Sequence, residues 1–351
     1  MNATDQIKTN TTTAIHVSTS PHIRREVTTA RIMTDVLIAL LPACLMGVFA
    51  FGYRALLVLL VTVASCLLTE LVYQKLMKLP VTVSDMSAVV TGVIITVNMP
   101  ATIPLWMPAL GGVFAILVVK QLFGGLGHNI MNPALAARCF LLISFAAAMT
   151  TFPDTFRTLF DGAAVEAMSG ATSAADAVSG ATPLAQLKSG GEVNIFNMIF
   201  NTHNGCIGEA YPPAILLGGI YLVARKVISI RIPGIYILST LGFVCLIQLI
   251  SGNTETLTAG YLVAQACGGG LLLGAIFLAT DYVTCPITPW GQVIFALLLG
   301  LLTAMFRVLG GSSEGVSYAI IIGNLMVPLI EKITMPKPFG VVRKGKRQKQ
   351  A

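Results

Sequence analysis

The stretch TGVIITVNMPATIPLW, residues 91–106, has a counterpart much later in the chain, LGAIFLATDYVTCPITPW, residues 273–290. A single offset of 182 positions aligns Gly92 with Gly274, and a proline near the end of each stretch. Both are apolar runs interrupted by proline and polar residues, which is typical of helices that break inside a bilayer. The pair predicts two related halves built around broken helices.

The composition of the whole chain is typical of a membrane protein. Of its 351 residues, 55% are hydrophobic and 11% are charged, against about 25% charged in an ordinary soluble domain. A soluble globular protein is therefore excluded, and the pattern predicts an all-α polytopic membrane protein. Ten apolar runs predict about ten transmembrane helices: 34–53, 55–74, 85–99, 103–119, 132–150, 212–224, 233–250, 258–280, 291–306 and 316–332.

A long polar segment divides the ten runs five and five. Because five is odd, the two halves have opposite orientations, so we predict two inverted five-helix repeats with broken helices. The predicted parts are an N-terminal segment 1–33, a first repeat 34–150, a loop 151–211, a second repeat 212–334 and a basic tail 335–351.

The distribution of Lys and Arg predicts the orientation. With a cytoplasmic N-terminus, 17 of the 22 basic residues lie on the cytoplasmic side and four lie outside, including Arg307. Arg138 lies within a span. We therefore expect both termini in the cytoplasm and the loop outside. The net charge of +7 is concentrated near the ends of spans and in the tail, which favours an anionic lipid surface over nucleic acid.

The loop contains DAVSGATPL, which ends at Leu184. This phrase resembles the signal at which a dedicated transferase joins flavin mononucleotide (FMN) through its phosphate to a Thr hydroxyl, here Thr182. A second phrase, SGATS, has Glu166 at the upstream position and lacks the Pro-Leu pair, so Thr172 is the less favoured site. The alternative is a flexible linker of small residues. The remaining predicted motif residues are Asp176, Ser179, Gly180, Ala181 and Pro183.

A glycine-rich turn leads into a helix in KQLFGGLGHNIMNPALAARCFLL, residues 120–142. It lacks the GxxxxGK[ST] pattern, so a nucleotide-hydrolysing loop is rejected. Asn129 and Asn132 either hydrogen-bond a planar heterocycle or cap the helix that begins at Pro133. Both interpretations remain open.

Together DAVSGATPL, KQLFGGLGHNIMNPA, ATDYVTCPITPWG (279–291) and GNLMVPLIEK (323–332) resemble the D subunit of the Rnf complex. The B subunit of the sodium-pumping NADH:quinone oxidoreductase is a more distant match. The resemblance covers nearly the whole chain and depends on the order and spacing of several motifs.

The resemblance implies a multi-pass subunit, in the bacterial inner membrane, of a ferredoxin:NAD oxidoreductase that translocates Na⁺ or H⁺. Covalent FMN on Thr182 would lie at the outer face, and a non-covalent riboflavin within or near the helices. Implied partners are the other Rnf subunits, including a second flavinylated subunit and iron–sulfur subunits, together with the flavin transferase. The resemblance also implies that this subunit has no NAD or iron–sulfur site of its own.

Polar residues at the breaks and ionisable residues within spans are candidates for function. Glu70 and Asp281 are candidates for an ion pathway, and for Glu70 the alternative is an interfacial side chain extending toward Lys75 and Lys78. Thr280 and Thr284 hydroxyls beside Asp281 suit a hard cation. Candidates for a second flavin or midplane site are Asn98, Lys120, Asn129, Asn132 and Asp281.

Two further expectations concern alternatives and metals. Inverted repeats with broken helices also suit a secondary transporter or channel, which would carry no bound chromophore. The seven cysteines include no CxxC pair, so we predict no metal cluster in this chain.

Overall fold

The computed structural model describes residues 28–152, 184, 195–200, 204–252, 257–310 and 315–336. All regular structure in these ranges is helical, which confirms the predicted all-α class. The helices are α1 (Thr29–Phe51), α2 (Tyr53–Leu76), α3 (Ser87–Val97), α4 (Trp106–Val113), α5 (Pro133–Ser144), α6 (Ala146–Thr150), α7 (Ile195–Phe200), α8 (Pro212–Ala224), α9 (Arg231–Ile250), α10 (Ala259–Cys267), α11 (Leu271–Leu273), α12 (Pro289–Val308) and α13 (Val316–Thr334). Helix α4 continues as the π-helix Phe114–Gln121, and α11 continues as the π-helix Gly274–Leu278.

The described helices suit a bilayer. Five of them (α1, α2, α9, α12 and α13) are long and apolar enough to cross it. Helix α10 and residues Leu271–Leu278, which we call the α11 segment, are together long and apolar enough to cross the bilayer and are bent by 52° at their junction. Shorter apolar helices are α3, α4 with its π-helical turn, α5 and α8. These elements correspond to the predicted apolar runs, and the chain is a polytopic membrane protein.

Helix α1 begins earlier than the apolar run that predicts it. It starts at Thr29 instead of Thr34, and the Thr28 hydroxyl accepts a hydrogen bond from the backbone N–H of Arg31. This cap satisfies an N–H group that has no partner inside the helix. The first turn contains Thr29 and Arg31, so a search for a continuous apolar run misses it.

Small residues allow the two halves to pack closely, while large apolar side chains face outward. A Cβ atom on Gly218 of α8 would collide with the backbone carbonyl of Ala39 in α1. Helices that are far apart in the chain contact each other, α1 with α8 and α5 with α13. Leu238 and Ile250 of α9 are 72% and 79% exposed, as expected for side chains that face lipid instead of water.

Candidate functional site: a cavity below two helix breaks

A cavity of about 220 Å³ lies among α1, α3, the N-terminus of α5, the C-terminal end of α8 and the turn that follows α11. Four of the five residues predicted for a midplane site line this one cavity: Lys120, Asn129, Asn132 and Asp281. They come from positions up to 161 residues apart, as the numbers 120 and 281 show. Asn98 is not among the lining residues, and most of the wall is apolar.

The two asparagines at the cavity have different roles. Asn132 Oδ1 accepts hydrogen bonds from the backbone N–H groups of Ala134, at 3.0 Å, and Leu135, at 3.4 Å, which confirms that Asn132 caps α5. Asn129 Oδ1 is buried and has no hydrogen-bond partner within the described part of the chain. A buried acceptor without a donor costs about 1–3 kcal/mol, so Asn129 offers an acceptor to a ligand.

Lys120 forms a buried ion pair beside the cavity. Its Nζ lies 2.8 and 3.0 Å from the two carboxylate oxygens of Glu70, and it donates to Ser87 Oγ at 2.6 Å. The Gln121 amide also donates to Glu70, at 3.0 Å. The Glu70 side chain is fully buried, so the alternative in which it extends to the interfacial lysines is wrong. A partner 50 positions away in sequence explains why local spacing did not reveal the pair.

Asp281 lies at the cavity wall in the turn after the α11 segment. The Thr284 hydroxyl donates to Asp281 Oδ2 at 3.2 Å, whereas the Thr280 hydroxyl donates to the carbonyl of Ile276 at 2.6 Å. Of the two predicted hydroxyl neighbours, Thr284 is therefore the one that contacts the carboxylate.

Asn98 belongs to a second cluster, at the break that follows α3. Its Oδ1 accepts a hydrogen bond from Arg138 Nη1 at 2.9 Å, and Arg138 Nη2 lies 3.5 Å from the sulfur of Cys206. Arg138 is 2% exposed and Cys206 is 1% exposed. The sequence marks Arg138 as an ionisable residue within a span but does not predict its partners.

Residues 204–210 enter the bundle beside this cluster, although the sequence places them in the outer loop. The backbone N–H of Ile207 donates to the Met99 carbonyl at 2.9 Å, and that of Gly208 donates to the Val97 carbonyl at 2.8 Å. Glu209, in the same segment, is 3% exposed. We call residues 204–210 the inserted segment. It packs against the first helix break, although its polar sequence NGCIGEA is typical of an ordinary turn.

Arg307 fixes the other break, between α10 and α11. Its Nη1 donates to the carbonyl and the side-chain oxygen of Gln265, and its Nη2 donates to the carbonyls of Gly268 at 2.9 Å and Gly269 at 3.0 Å. The orientation count treats Arg307 as an exposed loop residue, but it is 2% exposed. Its long side chain lies inside the bundle, where three backbone carbonyls need donors.

The flavin-attachment motif lies almost wholly outside the described residues. The residues of the two candidate phrases that lie outside the described ranges are Thr182, Thr172, Asp176, Ser179, Gly180, Ala181 and Pro183. Leu184, the last residue of the motif, is 3% exposed. A Cβ atom on Gly268 would lie 3.3 Å from Leu184 Cγ and 3.1 Å from Met198 Cε, so Leu184 packs at the second break.

Known proteins match this chain over nearly its full length. The model of the NQR2, RnfD, RnfE family matches residues 16–340. The chain is 42% identical to the D subunit of the Na⁺-translocating ferredoxin:NAD⁺ oxidoreductase complex of Acetobacterium woodii, with 95% of this chain and 98% of that protein covered. It is 39% identical to the D subunit of the proton-translocating ferredoxin:NAD⁺ oxidoreductase complex of Clostridium ljungdahlii, with 96% and 99% covered.

A third relative comes from another bacterium. The D subunit of the ion-translocating oxidoreductase complex of Actinobacillus succinogenes is 34% identical, with 94% of this chain and 99% of that protein covered. A family model that spans most of the chain and relatives of matching length agree with the motifs that the sequence presents. The chain belongs to the NQR2, RnfD, RnfE family.

Proposed function

We propose that this chain is a membrane electron-transfer subunit of an ion-translocating ferredoxin:NAD⁺ oxidoreductase (Rnf) complex and carries FMN bound covalently to Thr182. The observation that carries the proposal is DAVSGATPL within a chain that matches three D-subunit relatives over at least 94% of its length. Thr172, in a phrase without Pro-Leu, is the less favoured site. A phosphodiester link holds the flavin without a deep pocket around it.

The position of Leu184 supports this proposal. Leu184 follows Thr182 by two residues and is buried against Gly268. Arg307 holds the Gly268 carbonyl at 2.9 Å, so the residue that receives Leu184 is itself fixed. The last residue of the attachment phrase therefore packs against a fixed part of the bundle.

The cavity supports a second, non-covalent flavin, which we propose to be riboflavin. The buried Asn129 Oδ1 is an acceptor for a ring N–H, and the apolar wall excludes water from a planar ring. The cavity volume of about 220 Å³ is below the roughly 300–1,000 Å³ of drug-sized ligand sites, so the cavity would hold only part of a riboflavin molecule. When bound, a flavin supplies one- and two-electron transfer.

The remaining parts of the proposal concern partners and placement. The chain assembles with the other Rnf subunits, including iron–sulfur subunits and a second flavinylated subunit, and the flavin transferase modifies it. It lies in the inner membrane with both termini cytoplasmic and the flavin loop outside. Two of the relatives above are named for different ions, Na⁺ and protons, so the proposal specifies ion translocation in general. Glu70 and Asp281 stay predicted members of an ion pathway.

Covalent attachment is tested by in-gel flavin fluorescence after denaturing electrophoresis. The wild-type chain, Thr182→Ala and Thr172→Ala are each produced together with the flavin transferase. We expect fluorescence in the wild type and in Thr172→Ala, and none in Thr182→Ala. A wild-type band without fluorescence would contradict the proposal and favour the transporter alternative, which requires no chromophore.

The cavity flavin needs a separate measurement. After denaturation, released flavin is separated from the protein by filtration and identified by chromatography. We expect riboflavin from the wild-type complex, and at least about tenfold weaker retention in Asn129→Leu, which removes a buried acceptor. Asn129→Asp keeps an oxygen at the same position and serves as the control. Equal riboflavin content in the wild type and Asn129→Leu would place the second flavin elsewhere.

A further inference from the structure

Asn324 of α13 lies outside the cavity and connects two parts of its wall. It is 2% exposed. With the amide oriented so that each contact joins a donor to an acceptor, its oxygen accepts a hydrogen bond from the backbone N–H of Asn132 at 3.3 Å, and its nitrogen donates to the carbonyl of Thr284 at 3.2 Å. Asn132 and residues 280–283 line the cavity, whereas Asn324 does not. Asn324 therefore contacts both parts of the wall without reaching the ligand space.

Each of these two contacts lies three positions after a polar residue of the cavity. Asn129, which has the buried acceptor, precedes Asn132 by three residues, and Asp281 precedes Thr284 by three. The Thr284 hydroxyl also donates to the Asp281 carboxylate at 3.2 Å. Because the two parts of the wall are distant in sequence, their separation depends on contacts of this kind. A ligand site needs such support, since its groups must be held within about 0.5 Å of their productive positions.

Helix α13 holds the same turn at two further points. Glu331 accepts a hydrogen bond from the backbone N–H of Ile287 at 3.1 Å, and the hydroxyl groups of Thr288 and Thr334 lie 2.7 Å apart. Both contacts join α13 to the turn, whereas the Asn324 side chain joins α13, the turn and the N-terminal cap of α5. The turn therefore stays attached to α13 when Asn324 is changed, and what is lost is its hydrogen-bonded connection to α5.

From these contacts we propose that Asn324 is a positioning residue, which sets the distance between the α5 side and the turn side of the cavity and thereby how firmly a planar ring is held there. It acts through the backbone of Asn132 and Thr284 and does not touch the ligand. The inference rests on the riboflavin site of the proposed function. It gives that site a residue from α13, a helix that does not line the cavity.

The first test measures riboflavin retention in the assembled complex. Asn324→Leu fills a similar volume but can neither accept from Asn132 nor donate to Thr284. We expect riboflavin to be retained at least about fivefold more weakly than in the wild type, which corresponds to the loss of about one hydrogen bond to the ligand. Thr303→Val is the matched control, because it removes a buried hydrogen bond to Tyr236, 2.7 Å long, between α12 and α9. Neither of those residues lines the cavity.

The second test does not depend on flavin. Riboflavin is washed from each complex, and hydrogen–deuterium exchange is followed by mass spectrometry in the peptides that contain Asn132 and Thr284. In Asn324→Leu we expect faster exchange in both peptides, because they lose a common partner, and in Thr303→Val in neither. Asn324→Asp keeps an acceptor for the Asn132 N–H, but its carboxylate has no donor for the Thr284 carbonyl. Exchange should then rise only in the Thr284 peptide.

The outcomes decide the inference. Weaker retention and faster exchange in both peptides of Asn324→Leu, with wild-type values in Thr303→Val, support the positioning role. Wild-type retention in Asn324→Leu overturns it, and so does an equal loss of riboflavin in Thr303→Val, because retention would then follow stability alone. Should Asn324→Leu fail to assemble, Asn324→Asp decides, and wild-type retention or wild-type exchange in its Thr284 peptide overturns the role.

A failure of the proposed function is recognised separately. A wild-type complex that holds no riboflavin contradicts the cavity flavin, whatever the exchange measurements show. The exchange of the Asn132 and Thr284 peptides then decides alone whether Asn324 connects the two sides of the cavity. Faster exchange in both peptides of Asn324→Leu supports that connection, and unchanged exchange in either peptide overturns it.

Discussion

The two helix breaks in this protein satisfy their backbone in different ways. At the break after α3, the carbonyls of Val97 and Met99 accept backbone N–H groups from the inserted segment. At the break after α10, the carbonyls of Gln265, Gly268 and Gly269 accept the guanidinium of Arg307. Carbonyls at membrane depth need donors from protein, because hydrocarbon supplies none.

This difference explains why the two buried arginines, Arg307 and Arg138, have different kinds of partner. Arg307 is committed to backbone carbonyls, so it is part of the second break. Because the inserted segment already supplies donors to the first break, the Arg138 guanidinium is directed to side chains, Asn98 Oδ1 and the sulfur of Cys206. Arg307 therefore holds backbone carbonyls at its break, while Arg138 connects side chains at the other.

The largest expected effect is that of Arg307→Met. Methionine fills much of the space but leaves three carbonyls without donors, and each such loss costs about 1–3 kcal/mol. We expect about 3 kcal/mol or more of destabilisation, seen as a lower unfolding temperature of the detergent-solubilised complex and a smaller monodisperse peak. Arg307→Lys restores one cation with fewer donor directions and should fall between the two. An unchanged unfolding temperature in Arg307→Met would mean that Arg307 does not maintain the break.

Asn98→Leu should have a smaller effect at the first break. It removes one acceptor of a charged hydrogen bond, worth about 1.5–3 kcal/mol, while the carbonyls of Val97 and Met99 keep their partners in the inserted segment. The same unfolding measurement checks this, with Asn98→Asp as a variant that keeps the acceptor. A loss as large as that of Arg307→Met would show that the side chain, and not the inserted segment, holds the first break.

Local sequence signals were sufficient for the helices and the breaks. Apolar runs, prolines and glycines act within a few residues, so the apolar spans and the interruptions in 91–106 and 273–290 could be predicted from them. Lys120, Asn129, Asn132 and Asp281 could be selected because each is polar and lies beside such a break. That they share one cavity follows from how the two halves pack, which only the structure shows.

Long-range partners were not predictable in the same way. Glu70 and Lys120 are 50 positions apart, and Arg307 reaches carbonyls about 40 positions earlier in the chain. Nothing in a short window distinguishes these charges from charges in loops. The inserted segment was missed for a related reason, since NGCIGEA has the composition of a surface turn and is buried only because two helix breaks receive it.

The difference between Gly270→Ala and a matched glycine variant should be the smallest effect, and it tests how firmly the inserted segment is held at the second break. Gly270 has φ +69°, and its added Cβ would lie 2.7 Å from Glu209 Oε1. Gly252 has φ +75° and no described residue within 4 Å of an added Cβ, so Gly252→Ala serves as the reference for backbone strain, about 1–2 kcal/mol. We expect Gly270→Ala to lower the unfolding temperature further than Gly252→Ala, because the Glu209 carboxylate must also move. An equal drop in unfolding temperature for the two variants would show that the Glu209 side chain moves without cost, and the inserted segment would then be held by the first break alone.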